Sequence, residues 1–441
     1  MRLETKPKAK IFRFCGYVFE VKMSKITFNY RIEFSNREPI DFSETVILPK
    51  IPKNFKQETA RKFLEPLHLI LGVSYYKLYF PPKIEMLFKL SKEQSDFWNT
   101  VYRKGLGEFM YKNQLDPKRL AKFSYSKIDI YPDRIKTKDR ALLGIGGGKD
   151  SIVASELLKD FDFDSFLIET QKQDTVSCSV VDKIGRPSLK IRRMLDPKIF
   201  EKYEDSYNGH IPISVAFVFI GLLLSGMYGY KYVIMANEHS SNFGSLRYKG
   251  EIINHQWSKS IEFEKMFQEY SRKFITPDIV YFSLLRQFYE IRIAQMFAEH
   301  KKYFPLFASC NKNVTVSKER QNSLWCGKCP KCAFVFLMLA PFVDKKELLN
   351  IFHKNLFADE SLVQLFRDLL GFGKSKPFDC VGVPEESQTA LFLASKDFKD
   401  EIIIKTFVSR IKNPQNLIDK VFKTVPTMTI PTPFRFLGIK S

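Results

Sequence analysis

Hydrophobic and polar residues change period several times along this chain of 441 residues. In residues 1–50 the stretches FRFCGYVFEV, KITFNYRIEF and ETVILP alternate or cluster β-branched and aromatic residues, with turn residues between them. A period of two puts one face of a strand into a core, so this region is predicted to be strand-rich. Residues 56–71 switch to helical spacing. Tyr75 to Phe80 returns to strand composition and is closed by Pro81 and Pro82. Ser91 to Tyr111 has the spacing of an amphipathic helix, with Phe97, Val101, Leu106 and Phe109 on one side. Residues 1–135 are therefore predicted to form an α+β N-terminal domain, ending in the polar, basic stretch Pro132 to Arg140.

Beyond that boundary, strand-like and helix-like segments alternate. The strands are Ala141–Ile145, Ser165–Ile168, Leu189–Ile191 and Tyr232–Ala236, and the helices fall near 151–160, 213–228, 258–273 and 284–300. Such alternation predicts an α/β domain over 136–344 built on a doubly wound parallel sheet, which binds ligands at the carboxyl ends of its strands. Residues 345–441 are predicted to be mainly helical, from LLNIFHKNLF, SLVQLFRDLLGF, TALFLA and LIDKVF. Ile211 to Tyr230 carries no charge and is long enough for a membrane helix. Pro212, Ser214, Ser225 and three glycines dilute it, and polar residues follow at once. It is predicted to be a buried helix and strand, not a span.

Charge changes the picture by favouring an anionic partner. Lys and Arg total 70 against 49 Asp and Glu, a formal net charge of +21. The basic residues are dispersed, so no nucleic-acid tail is expected. The opening MRLETKPKAK has no apolar signal core, which favours the cytoplasm, where clustered thiols indicate metal binding more than disulfides. Cys15, Cys178 and Cys380 are isolated, whereas Cys310, Cys326, Cys329 and Cys332 lie close together.

Three constellations carry candidate chemistry. In ALLGIGGGKDSIVASELL an apolar strand runs into Gly146, Gly147 and Gly148, then Lys149, Asp150 and Ser151 open a helix. Glycines admit a sharp turn, and helix N-termini supply free N–H donors, which together suit phosphate. The loop is neither a Walker A motif nor GxGxxG. Asp150 could hold Mg²⁺ or orient the loop. Lys149 could neutralise phosphate or point to solvent. The second constellation is NEHSSNFGS, residues 237–245, with NHQWSKS, residues 254–260, and Glu262. Asn237, Glu238, Ser240, Asn254 and Lys259 suit a polar substrate, and His239 and His255 suit proton transfer. The third is the four-cysteine set, whose thiolates suit tetrahedral Zn²⁺ or an iron–sulfur cluster. Zinc is the simpler choice, in a structural role that pins the Cys310 loop to a helix starting near Pro330.

The glycine loop resembles the SGGxDS loop of PP-loop ATP pyrophosphatases, with Gly146 in place of the usual Ser. That resemblance implies an adenine nucleotide alpha-hydrolase-like core and contacts from Gly146–Ser151 to ATP. A cysteine cluster after such a loop is also similar to 7-cyano-7-deazaguanine synthases. IGGGKDS at 145–151, NHQWSKSIEFE at 254–264, SCNKN at 309–313, WCGKCPKCAFVFLMLAPF at 325–342 and KPFDCVGVPEE at 376–386 together resemble the UDP-N-acetylmuramoyl-L-alanyl-L-glutamate epimerases of the MurL type. This resemblance implies epimerisation of the terminal L-Glu of UDP-MurNAc-L-Ala-L-Glu for peptidoglycan. It implies ATP and Mg²⁺ as cofactors, an acyl-adenylate intermediate, and release of AMP and pyrophosphate. The alternatives are another PP-loop adenylating ligase, or a tRNA-modifying enzyme motivated by the charge. The absence of a recognisable RNA-binding module disfavours the latter.

Overall fold

The computed structural model describes residues 8–439, except 54, 56, 202 and 315–322. Its strands are β1 (Ala9–Glu20), β2 (Lys25–Phe34), β3 (Ile40–Ile47), β4 (Lys83–Met86), β5 (Lys138–Gly144), β6 (Phe163–Thr170), β7 (Ser188–Met194), β8 (Tyr230–Met235), β9 (Leu246–Tyr248), β10 (Glu251–Ile253) and β11 (Val280–Ser283). Nine of them form one mixed, mostly parallel sheet in the order β11-β8-β5-β6-β7-β3-β2-β1-β4, and β9 and β10 make a separate hairpin.

β5, β6, β7, β8 and β11 run parallel. Growth proceeds outward from β5, to β6 and β7 on one side and to β8 and β11 on the other. The loops that follow β5 and β8 therefore leave neighbouring strands in opposite senses, the switch point at whose carboxyl ends open parallel sheets form their ligand crevice. β5 is covered on both faces. Leu142 enters the core shared with the N-terminal elements, while Ala141 and Leu143 enter the core shared with the C-terminal helices. Strands buried on both faces need continuous apolar runs, as Ala141–Leu143 provides.

β3 pairs antiparallel with β7, with Thr45 opposite Met194 and Ile47 opposite Arg192, so the N-terminal strands extend the central sheet. The uncharged run becomes the helix Ile213–Tyr228, buried against the helix Gln57–Tyr76 and the sheet. Among the described residues no helix is long and apolar enough to cross a membrane. The C-terminal region is mainly helical, with Pro330–Leu339, Lys345–Phe352 and Pro384–Ala394 among its helices.

Tyr75–Phe80 is not a strand. Tyr75 and Tyr76 end the helix Gln57–Tyr76, and the edge strand β4 begins only at Lys83. The aromatic residues that suggested a strand are helical side chains packed on β1 to β3, with Tyr75 stacked on Tyr30 and Tyr76 against Phe12. Burial selects large aromatic residues in either conformation. The Ser91–Tyr111 pattern is divided into helices Lys92–Gly105 and Gly107–Lys112, the first capped by Ser91 and Gln94 in a capping box. The helix expected near 284–300 starts later, at Glu290.

Candidate active site

The loop after β5 turns at Gly147, whose φ of +74° belongs to the left-handed region. A Cβ there would lie 2.8 Å from Val176 Cγ1. At Gly146 a Cβ would meet nothing within 4 Å, so open space faces the turn. Ala308 N–H donates to Gly147 O at 3.1 Å and ties the loop to the segment before Cys310. The helix Lys149–Leu157 follows directly, and Ser151 Oγ bonds Gly148 O at 3.0 Å.

Lys149 does not point to solvent. It is buried and ion-paired with both Asp150 and Glu290, the latter from the first turn of helix Glu290–Ala298. Burial disfavours its charge, but the two carboxylates outweigh burial and raise its pKa. Asp150, Glu238 and Glu290 each present a carboxylate oxygen within 4.8 Å of the others. Glu238 Oε1 is buried without a hydrogen-bond partner, which is costly for a carboxylate unless a cation completes it. Three hard oxygen donors beside a phosphate-type loop fit Mg²⁺. Glu386 adjoins this set, bonding Glu290 N–H, Val383 N–H and Ser240 Oγ. Burial and the nearby Glu290 push its pKa up to about 7.

A second cluster centres on Cys380. Lys259 Nζ lies 3.4 Å from its sulfur, and His255 hydrogen-bonds it. His255 Nδ1 in turn bonds Glu108, and the ring of His210 lies 4.2 Å from that of His255. Lys331 Nζ holds Cys380 O. Burial opposes ionisation of Cys380, yet Lys259 and His255 bring its pKa down to about 6. Burial likewise opposes the charge on His255, but Cys380 and Glu108 raise it to about 9. Glu108 is held down at about 2 by the same imidazole in spite of its burial.

The other sequence-derived residues are placed as follows. His239 lies after β8, its ring 4.7 Å from Tyr289 and 5.5 Å from Phe243, and burial with Arg286 nearby lowers its pKa to about 4. Asn237 bonds Ser283 Oγ at 2.9 Å, and Asn254 bonds Ser241 O and Gln256 N–H at 2.9 Å each. Both amides thus brace the loops beside the crevice. Ser240 serves Glu386, while Lys259 joins Cys380. Sequence reading passed over Glu108, His210, Glu290, Lys331 and Glu386, and it left Cys380 as an isolated cysteine. For Cys380 the usable signal was its place in the KPFDCVGVPEE segment.

Cys310, Cys326, Cys329 and Cys332 converge, with sulfur separations of 3.4, 3.7 and 4.0 Å for Cys329–Cys332, Cys326–Cys332 and Cys310–Cys329. A tetrahedron with Zn–S bonds of about 2.3 Å has edges of about 3.8 Å, so number, type and span fit a closed thiolate site. N–H groups of Lys328 and Cys332 point at Cys326 and Cys329 sulfurs at 3.4 Å, as thiolate acceptors require.

Residues 3–284 match the family described as the MurL N-terminal domain, and 306–421 match the MurL C-terminal domain. The chain belongs to the MurL family. It is 35% identical over 416 residues, 92% of this chain and 91% of the relative, to the UDP-N-acetyl-alpha-D-muramoyl-L-alanyl-L-glutamate epimerase of Xanthomonas oryzae pv. oryzae. A protein of the same name from Salinispora tropica is 32% identical over 96% of this chain and 92% of its own. Another from Micromonospora sp. is 33% identical over 91% and 90%. The MurL N-terminal match supplies Lys149, Asp150, Glu238, His255 and Lys259. The MurL C-terminal match supplies the four cysteines, Lys331, Cys380 and Glu386, so the site is assembled from both.

Proposed function

We propose that the protein is an ATP-dependent epimerase that converts the terminal L-Glu of UDP-MurNAc-L-Ala-L-Glu to D-Glu for peptidoglycan, in the cytoplasm, on a doubly wound PP-loop core. The observation that carries the reading is the juxtaposition of two clusters: carboxylates and Lys149 beside the glycine loop, and Cys380 with Lys259, joined through Lys331, which bonds Cys380 O and lies 3.9 Å from Glu290. Membership of the MurL family supports the substrate, and the excess of positive charge suits a UDP-linked polycarboxylate.

A free carboxylate makes the adjacent Cα–H a very weak acid. ATP enters as co-substrate, its α-phosphorus attacked by the glutamate carboxylate to give an acyl-adenylate and pyrophosphate. Neutralising the carboxylate in this way acidifies Cα–H. Gly146–Ser151 hold the phosphates by backbone N–H groups and the helix N-terminus. Asp150, Glu238 and Glu290 hold Mg²⁺, which neutralises phosphate charge when bound. Lys149 balances the carboxylates. Proton transfer at Cα falls to the cluster beside the crevice that His255 joins with Glu108 and Cys380, and not to His239. The four-cysteine site holds a structural Zn²⁺ that fixes the segment running to Ala308 and Gly147.

The test is incubation with ATP, Mg²⁺ and UDP-MurNAc-L-Ala-L-Glu, followed by chiral analysis of glutamate and measurement of AMP. D-Glu formed only with ATP, with AMP in step, is the expected result. Unchanged L-Glu from folded protein would overturn the reading.

A further inference from the structure

Cys380 has the environment of a working thiolate. Its sulfur contacts the Lys259 ammonium at 3.4 Å and the His255 imidazole, and His255 is oriented by Glu108 from the other side. A thiol, an imidazole and a buried carboxylate in sequence form the arrangement that activates a sulfur for chemistry. The main chain is fixed as well. Lys331 Nζ holds Cys380 O, and Cys380 N–H donates to Asp379 Oδ1 at 2.7 Å. Inversion at Cα needs an acceptor on one face and a donor on the other.

We propose that Cys380 accepts the glutamyl Cα proton. The proposal rests on the epimerase reading above. The S–H bond forms as the C–H bond breaks, and the C–H electron pair passes into the enolate of the activated acyl group. A solvent-derived proton then reaches the opposite face, and the enolate pair forms the new C–H bond. The thiol proton is lost to solvent, so each inversion leaves one solvent hydrogen at Cα. His255 and Glu108 are positioning residues that keep the sulfur ionised.

The test follows solvent deuterium into Cα for each diastereomer of UDP-MurNAc-L-Ala-Glu, with ATP and Mg²⁺ in D₂O, using wild type and Cys380→Ser. The expected result is that wild type introduces deuterium at Cα as it inverts. Cys380→Ser loses that exchange and the inversion by at least about a hundredfold, the lower end of what a positioned acid or base supplies. Inversion by Cys380→Ser at the wild-type rate overturns the proposal. Should the variant fail to fold, the wild-type protein carries the test through iodoacetamide. Alkylation mapped to Cys380 must abolish inversion and be slowed by ATP with substrate. A Cys380 that resists alkylation, or takes it without loss of inversion, overturns the proposal. Wild-type protein with neither ATP–pyrophosphate exchange nor inversion sinks the underlying reading instead.

Discussion

Lys149 and Glu290 form a buried ion pair between the glycine loop and the helix that follows β11. The pair fixes the loop against an element 141 residues away in sequence. It also places a positive charge among Asp150, Glu238 and Glu290, which would otherwise repel one another. Removing one partner of a buried pair leaves an uncompensated charge, at a cost of about 3–5 kcal/mol. Lys149→Met is expected to lose stability of this order in urea denaturation. Its AMP formation should fall at least about tenfold, equivalent to about 1.4 kcal/mol in the transition state.

The glycines of the loop separate folding from ligand approach. Gly147→Ala forces a positive φ on a side chain and sets its Cβ 2.8 Å from Val176, so its melting temperature should drop. Gly146→Ala meets nothing within 4 Å and should melt like wild type. Its methyl group enters the space proposed for the phosphates of ATP, so its KM for ATP should rise. Equal KM values for Gly146→Ala and wild type would count against phosphate at this turn.

β5 and β8 were legible in the sequence because both are buried on two faces, which forces an apolar run bounded by polar loops. The glycine loop was legible because turn, strand and helix start are local. The pairing of β3 with β7 was not, since alternation in Ile40–Ile47 gives the face of the strand and not its neighbour. Glu290 and Glu108 stand in the first turns of helices, where a carboxylate ordinarily serves the helix dipole, so nothing local marked them as site residues. Cys380 gains its chemistry from Lys259 and His255, more than a hundred residues earlier in the chain. Tyr75 and Tyr76 misled because aromatic enrichment reports burial as much as strand.

Zinc is expected at about one ion per chain in protein purified without chelator. Cys326→Ser should remove it and lower thermal stability, because Cys310 and Cys326 would lose their cross-link to the helix Pro330–Leu339. Elemental analysis with parallel melting curves checks this. Protein lacking both zinc and iron would overturn the metal site.

His68 gives a pH dependence remote from the crevice. Its Nε2–H donates to Asn29 O at 3.1 Å, while Nδ1 is buried without a partner beside Phe14, Phe28 and Tyr30. Burial lowers its pKa from 6.5 to about 4. Below pH 6.5 the unfolded chain binds a proton that the folded chain refuses, so this contribution is full above 6.5 and is lost as pH falls toward 4. Stability should decline across that window by on the order of 3 kcal/mol from this residue. His68→Gln, already weaker at pH 7, should show a shallower decline in denaturant titrations, and an unchanged slope would refute the assignment.

The two histidines that follow β8 should behave oppositely. His239 is neutral at pH 7, with a pKa near 4, and its nearest polar side-chain contact is Asn242 at 3.5 Å. An imidazole of such low pKa is a weak base and, being neutral, a poor proton donor, so His239→Gln is expected to retain inversion within about a factor of ten. His255 carries a proton to about pH 9 and lends that charge to Cys380. In wild type the thiolate forms as pH rises through about 6, so inversion should climb through that value. His255→Gln removes the positive charge and the hydrogen bond, and the Cys380 pKa must move back toward its ordinary value near 9. The rising limb of the rate profile should therefore shift to higher pH, with inversion strongly reduced at pH 7 and partly recovered at pH 9. A purely structural His255 would lower the rate at every pH without moving that limb. The profile of kcat against pH thus separates a residue that positions and charges Cys380 from one that merely packs beside it.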